Sequence, residues 1–315
     1  MTPKPVYSII IPHFNIPDLL MRCLDTIPVR KDVQVIVVDD MSQDADTYLS
    51  RYPELSRPYL EFLHTPRRGG AGLARNIGLQ HAQGKWLIFA DADDFFVNDF
   101  NDILDEYQNA AEDIVYFRTK GVMSNDVSQS SSKIGGLDSI VVHYLNYKDE
   151  NTLRCRHTVP WGKFIKASFI ADNNFVFEEI PYSNDLVFCA LAGCNAKSVS
   201  ASGRFLYNYS ERPDSISQSF AKSTEELVIR AKACARYHRI VFASPYSLNG
   251  RYPISDFLAY LFQQDRATFK DLFIELPQLG CSRRVALRQV CAWQRGLWKK
   301  LSVVIYCFYI VLWRV

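Results

Sequence analysis

The sequence predicts an α/β protein with a mostly parallel central sheet, helices flanking it, and a helical segment at the C-terminus. Three observations predict it. Short apolar runs rich in β-branched residues alternate with segments of helical spacing through the first half of the chain. Those runs are apolar throughout rather than alternating, as strands buried on both faces of a parallel sheet are. From Thr224 onward the apolar periodicity is helical. A chain of 315 residues, 48% hydrophobic and 22% charged, is long enough for one large domain with an appendage. The division falls at residues 1–220 for the α/β domain and 221–315 for the helical region.

Val6 to Ile11 forms the first strand, stopped by Pro12. Leu19, Leu20, Cys23, Leu24 and Ile27 then share one side of a helix over 18–27, with Pro17 at its start. Val33 to Val38 is a second buried strand, followed at once by Asp39 and Asp40. A short helix over 44–52 and a strand at Leu60–His64 come next. The glycine-rich turn Arg67-Arg68-Gly69-Gly70-Ala71-Gly72 opens a helix from about Leu73 to Ala82. The central strand Trp86-Leu87-Ile88-Phe89 leads into Ala90-Asp91-Ala92-Asp93-Asp94. A helix near 99–111 and a strand at Ile114–Phe117 complete the alternation.

Between Met123 and Gly136 the chain turns polar, with serines at 124, 128, 130, 131 and 132. That stretch reads as a mobile surface loop, with an ordered lid as the alternative. Helical pieces at 138–147 and 185–193 and strand-like pieces at 196–200 and 204–209 follow. The last third predicts helices over 224–242, 254–264, 268–275 and 282–313, and the chain has no internal repeat. Eight cysteines occur without a Cys-x-x-Cys pair or a zinc-spaced histidine, most of them in apolar surroundings, as buried free thiols are. With no signal peptide ahead of the first strand, a reducing cytoplasmic setting is expected.

Three strand ends carry acids or glycines: Asp39-Asp40, Gly69–Gly72 and Asp91–Asp94. In a parallel sheet such ends lie along one edge, where ligands bind. Three carboxylates within four positions repel one another unless a cation or donors compensate them. Oxygen ligands favour Mg²⁺ or Mn²⁺ over zinc. Glycine amides at a helix start, with Arg75 one turn in, can face phosphate, so the set suits a nucleoside diphosphate. The glycine run is neither Gly-x-Gly-x-x-Gly nor a Walker loop, which argues against NAD and ATP chemistry.

Ser8-Ile9-Ile10-Ile11-Pro12-His13-Phe14-Asn15, Val37-Val38-Asp39-Asp40, Gly69 to Leu79 and Asp91-Ala92-Asp93-Asp94 together resemble the ordered motifs of family 2 glycosyltransferases. The resemblance is dense over residues 6–100 and thinner through 160–220. It implies a GT-A fold and an inverting enzyme that uses a nucleotide sugar, UDP-linked by expectation, with Mn²⁺ or Mg²⁺. It implies a donor site at Pro12, Asp39, Asp40, Gly70, Arg75, Asp91 and Asp94, with Asp39 on the base, Asp91 near the ribose, and Asp91 and Asp93 at the metal. A strand-end turn or cap is the other reading of Asp40. Asn184-Asp185 resembles the family's Glu-Asp pair, with Asn where Glu is usual. Asp185 is then the general base that inversion requires, or else the cap of the helix that follows. Trp161 of Trp161-Gly162-Lys163 stacks on a sugar ring or belongs to the core. Arg212, in the loop Arg212 to Ser217, closes over the diphosphate or sits in a simple turn. The implied partners are a nucleotide-sugar donor and a glycan or polyprenol-linked acceptor in cell-surface polysaccharide or lipopolysaccharide synthesis, with no nucleic acid. A sugar-phosphate nucleotidyltransferase and a non-catalytic nucleotide-sugar-binding protein are the alternatives.

The charge of the chain is unevenly spread. The last 40 residues, 276–315, hold seven of the 36 basic residues and none of the 34 acidic ones. They include the uncharged run Leu301–Trp313, preceded by Trp293, Trp298, Lys299 and Lys300. As a helix that run is about 20 Å long, short of the roughly 30 Å of a bilayer core. An interfacial anchor on an anionic membrane, at the inner face of the plasma membrane, is the expectation. A terminal helix docked on the domain and a short spanning helix are the alternatives.

Overall fold

The computed structural model describes residues 4–43, 58–212, 223–246, 254–293 and 307. The helix expected over 44–52, the loop after Arg212 and the apolar run 301–313, apart from Cys307, lie outside the described residues. The chain divides into two compact units, residues 1–215 and 216–315.

The first unit is built on a nine-stranded sheet among the described residues, in the order β3-β2-β1-β4-β8-β6-β9-β5, with β7 paired to β6. The strands are β1 (Tyr7–His13), β2 (Val33–Asp39), β3 (Leu60–His64), β4 (Trp86–Phe89), β5 (Phe95–Phe96), β6 (Ile114–Met123), β7 (Asp126–Ser130), β8 (Lys163–Lys166) and β9 (Val199–Glu211). β1 to β4 are mutually parallel, β6 runs parallel to β9, and β8 is antiparallel to both β4 and β6. This is the α/β architecture the alternation predicts.

Alternate strand residues feed two cores. On one face Ile9, Ile11, Val35, Val37, Trp86 and Ile88 pack with Leu20, Cys23 and Leu24 of α1 (Pro17–Asp25) and Ile103 and Leu104 of α3 (Phe100–Tyr107). On the other, Ile10, Ile36, Val38, Leu87 and Phe89 pack with Ala74 of α2 (Gly70–His81). α4 (Gly135–Tyr147), α5 (Glu150–Arg156), α6 (Ala167–Asp172) and α7 (Leu186–Asn195) add Val141, Leu153, Phe169 and Phe188 to that second core. Burial on both faces is why the strands read as unbroken apolar runs. Gly78 makes one close approach possible, because a Cβ there would sit 2.4 Å from Ile10 Cγ2.

Three sequence expectations are corrected. β1 does not stop at Pro12 but continues to His13, paired with β2. The Ile10 carbonyl accepts from the Ala90 amide at 3.1 Å, so Pro12, two residues on, faces the same side beyond the end of β4. Its missing N–H therefore costs no ladder bond. The polar stretch after Met123 contains β7, antiparallel to the end of β6; all five of its residues are exposed, so no apolar alternation marks it. The two strand pieces expected at 196–200 and 204–209 are one strand, β9, whose register against β6 shifts near Arg118.

The second unit is helical in its described residues: α8 (Thr224–Ala243), α9 (Ile254–Gln264), α10 (Arg266–Glu275) and α11 (Arg283–Trp293). Ser223 caps α8 by accepting from the Glu226 amide at 3.1 Å, and Asp265 caps α10 through the Thr268 amide at 3.0 Å. Leu227, Ala231, Cys234, Leu258, Leu261, Phe269 and Leu272 are buried along these helices. Among the described residues no helix is long and apolar enough to cross a membrane. Cys23, Cys155, Cys189, Cys194, Cys234, Cys281 and Cys307 are buried free thiols.

Candidate functional site

The end of β2 carries two carboxylates with different tasks. Asp39 is fully buried; its Oδ1 accepts from His13 Nδ1 at 2.8 Å and its Oδ2 from the Ser42 amide at 2.8 Å. Burial pushes its carboxyl up, but the donors from His13 and Ser42 prevail and hold it below the usual range. The expected contact of Asp39 with a nucleobase is not presented in this structure, because its side chain has no exposed surface. Asp40 accepts from the Gly69 amide at 2.9 Å, the Gly70 amide at 2.8 Å and the Thr65 hydroxyl at 3.1 Å. It thus closes the glycine turn, which is the turn or cap reading.

That bonding also corrects the reading of the glycine run as a phosphate cradle, since the Gly69 and Gly70 amides are already taken by Asp40. The glycines have other reasons to be there. Gly70 has a φ of +74°, which other residues adopt with strain. A Cβ on Gly72 would lie 2.1 Å from the Glu178 carbonyl oxygen and 3.2 Å from Asn184 Cβ. A glycine at 72 lets α2 press directly on the segment that leads to Asp185.

The acidic loop follows β4. Arg75, nearly buried on α2, donates to Asp91 Oδ1 at 2.5 Å and to Asn184 Oδ1 at 2.9 Å, with its guanidinium 5.3 Å from the Phe177 ring centroid. It ties the loop after β4 to the start of α7. Asp93 Oδ2 accepts from Arg212 Nε at 2.8 Å, and the Asp93 carbonyl accepts from Arg22 Nη2 at 2.6 Å. Arg22 also reaches the Ser210 hydroxyl at 2.7 Å. Asp94 is buried and accepts from the Ser210 amide at 2.7 Å. The Asp91 amide donates to the Tyr207 hydroxyl at 2.8 Å. Burial first, then the charge of Asp91, pushes the Asp93 carboxyl up against the pull of Arg212. Burial and both neighbouring aspartates push Asp94 well up.

Asp185 occupies the N-cap position of α7 with αR dihedrals (φ −88°, ψ −22°), and its side chain caps no amide. The cap reading therefore has no hydrogen bond behind it. Burial pushes this carboxyl up, with Arg75 opposing. A carboxyl raised in this way, and not committed to capping the helix, is suited to taking a proton.

Two other expected contacts are placed elsewhere. Trp161 is only 4% exposed and stacks on Tyr207 at 5.1 Å and 17°, so it belongs to the core and presents no face to a sugar. Arg212 lies against Asp93 rather than standing free for a diphosphate. Pro12 is a half-buried strand residue. His13, Arg22 and Tyr207 are the residues that chain-order reading passed over; no local signal marks the last two, which act on the acidic loop across the fold.

Among the described residues no group of three or more His, Cys, Asp or Glu side chains could hold a metal by itself. Arg75 and Arg212 compensate Asp91 and Asp93 directly. Asp93 is pushed up even so, by its burial first and by the charge of Asp91 second. Asp91, 33% exposed, and Asp93, 19% exposed, fit Mn²⁺ or Mg²⁺ completed by substrate phosphate oxygens, the usual manner of Mg²⁺, and not a cage made by the protein alone.

Comparison with known proteins bears on this geometry. The family described as Glycosyl transferase family 2 matches residues 8–168. A poly(ribitol-phosphate) beta-glucosyltransferase of Bacillus spizizenii is 30% identical over 224 residues, covering 68% of this chain and 33% of that protein. The poly(ribitol-phosphate) beta-N-acetylglucosaminyltransferase TarS of Staphylococcus aureus is 26% identical over 70% of this chain and 38% of its own length. The chain thus spans about a third of the length of these relatives. The structure of S. aureus TarS 1–349 in complex with UDP-GlcNAc superposes with a TM-score of 0.59 at 20% identity, covering 89% of this chain and 82% of that one. The mannosyltransferase PcManGT of Pyrobaculum calidifontis, solved with GDP-Man and Mn²⁺, gives a TM-score of 0.51 at 16% identity over 98% of this chain and 86% of that one. These two superpositions establish the GT-A fold.

Proposed function

The chain belongs to glycosyl transferase family 2, and from that premise we propose that it is an inverting glycosyltransferase of cell-surface polysaccharide synthesis. It moves a sugar from a nucleoside diphosphate, UDP by preference, to a hydroxyl of a glycan or polyprenol-linked acceptor. The observation that carries the reading is the Arg75 bridge, which brings the acidic loop and the uncapped carboxylate of Asp185 to one place.

In this reading Asp185 accepts the proton of the acceptor hydroxyl at a carboxylate oxygen, on the sugar face opposite the leaving diphosphate. Arg75 orients both sides of the centre at once. Asp40 and Gly72 fix how α2 seats on the segment 178–184, and so where Arg75 points. Asp39 and His13 hold the β2 turn beside them. Asp93, with Asp91, is the group that would hold Mn²⁺ or Mg²⁺ together with the donor phosphates. Bound there, the ion would neutralise charge on the leaving diphosphate. Residues 276–315 would bring the enzyme to the anionic inner face of the plasma membrane through their seven basic residues and apolar run.

A panel of UDP-, GDP- and dTDP-sugars, scored for hydrolysis and for protection against thermal unfolding, tests the proposal. One donor should protect and be slowly hydrolysed, and EDTA should weaken its binding. No protection by any nucleotide sugar would overturn it. Flotation with anionic liposomes tests the tail: binding that persists equally on neutral liposomes, or is absent from both, removes the membrane from the account.

A further inference from the structure

α1 splints the loop that carries Asp91, Asp93 and Asp94, a contact that the transfer chemistry above does not use. Arg22 Nη2 donates to the Asp93 carbonyl at 2.6 Å and to the Ser210 hydroxyl at 2.7 Å, and Nη1 donates to the Ser124 carbonyl at 3.2 Å. One guanidinium thus joins the acidic loop to the end of β9 and to the turn between β6 and β7. Four residues on, and so on the same side of α1, Thr26 Oγ1 accepts from the Phe96 amide at 3.1 Å while donating to the Cys23 carbonyl at 2.7 Å. Phe95 lies between these two holds, its ring centroid 5.0 Å from the Arg22 guanidinium. α1 therefore grips the backbone on both sides of Phe95, at residues 93 and 96.

All three acceptors of Arg22 are neutral, while the carboxylates of Asp91 and Asp93 are met by Arg75 and Arg212. The fork is aimed at two carbonyls and a hydroxyl at the expense of its Nε, which is buried without a hydrogen-bond partner among the described residues. What such bonding fixes is direction. A held carbonyl at residue 93 sets the peptide plane that leads into Asp94. The Ser210 amide holds the Asp94 side chain at 2.7 Å, and Arg22 holds the hydroxyl of that same serine. Arg212, which takes Asp93 Oδ2 at 2.8 Å, follows two residues later.

Mg²⁺ demands near-ideal octahedral geometry at about 2.0–2.1 Å, so a carboxylate offered to it must be held in place. We infer that Arg22 is a positioning residue for cation-dependent donor binding at the acidic loop, acting through the Asp93 carbonyl and Ser210 rather than through its charge. The inference rests on the assignment of Asp91 and Asp93 to Mn²⁺ or Mg²⁺ above and adds the residue that aims them. Charge and position predict opposite signs. A guanidinium beside a divalent cation repels it, so by charge alone removing Arg22 would tighten cation-dependent binding. Loss of aim weakens that binding, by about 10–100-fold for groups that orient metal ligands.

Calorimetry of UDP, GDP and dTDP binding to the full-length protein, in Mn²⁺ and in EDTA, separates the two. One nucleotide should bind the parent more tightly in Mn²⁺. Arg22→Gln should lose about 10–100-fold of the affinity in Mn²⁺ and keep the affinity in EDTA. Arg22→Lys keeps the charge but has one nitrogen in place of the fork, and should fall between Arg22→Gln and the parent. It carries the comparison alone if Arg22→Gln does not fold. Tm is read alongside, because a simple brace would lower Tm and leave the ratio of the two affinities as in the parent. That result, tighter binding of Arg22→Gln in Mn²⁺, or Arg22→Lys indistinguishable from the parent would overturn the positioning role while leaving the metal assignment intact. A parent that gains nothing from Mn²⁺ would instead remove the cation from Asp91 and Asp93, and this inference with it.

Discussion

Replacing Arg75 by Met keeps the apolar stem and removes the guanidinium that joins Asp91 to Asn184. The structure sets the size of the effect. One of the two lost hydrogen bonds is to a carboxylate, a kind that contributes about 1.5–3 kcal/mol, and the other is to a neutral amide, about 1 kcal/mol. Asp91 is one-third exposed, so water recovers part of the first. A net loss of about 2 kcal/mol lowers Tm by roughly 4–8 °C in a unit of this size. The sharper readout is the pH profile of transfer. Burial holds the Asp185 carboxyl up and Arg75 pulls it down, so removing Arg75 sends it further up. A base works in its deprotonated form, and the acid limb of kcat should therefore move to higher pH. Steady-state transfer rates across the range from about pH 5 to 9 measure the limb, and calorimetry measures Tm. A fall in Tm with the limb unmoved would mean that Arg75 only braces the fold. A limb that moves to lower pH would refute the electrostatic account altogether.

Other substitutions follow from the same geometry. Asp185→Asn should cost about 10²–10⁴-fold in turnover and leave donor affinity and Tm nearly unchanged, because the side chain caps no amide; near-normal turnover with a lower Tm would make it a helix residue only. His13→Leu removes a buried donor to Asp39 and should cost about 1.5–3 kcal/mol at neutral pH by urea denaturation. The folded carboxyl of Asp39 is depressed, so the stability it provides is present above its unfolded pKa near 4 and fades as pH falls through the folded value; the gap between parent and variant should close over that acid range. Trp161→Ala should cost about 3–5 kcal/mol as a core truncation, whereas Trp161→Phe should fold and leave acceptor KM as it is. A raised KM at unchanged Tm would return Trp161 to the sugar.

The fold was legible because its signals are local. Val33–Asp39 is buried at every position, and no polar residue other than Gln34 interrupts the run before Asp39. β7 was illegible for the opposite reason: every one of its residues faces solvent, so neither period nor hydrophobicity separates it from a loop. The strand ends were legible as places where charge collects. What the chain order could not supply was the partner of each charge. Asp93 sits beside Asp91 and Asp94 in sequence, yet its side chain meets Arg212, 119 residues on, and its carbonyl meets Arg22, 71 residues back. Three crowded aspartates read alone demand a cation; with Arg75 delivered by α2 and Arg212 just past β9, most of that demand is met before any ligand arrives.

The same reasoning accounts for Asn184. Where the family resemblance would put Glu beside the proposed base, this chain offers Arg75 a neutral acceptor at 2.9 Å. A carboxylate at that position would add a like charge next to Asp185 and push its already raised carboxyl further up. It would also divide Arg75 between two anions and weaken its hold on Asp91. With Asn, one guanidinium keeps one carboxylate fully, the bridge to α7 survives as a hydrogen bond, and Asp185 is spared a repulsion. Asn at this place in the motif is thus an arrangement under which a single arginine can serve both the acidic loop and the proposed base.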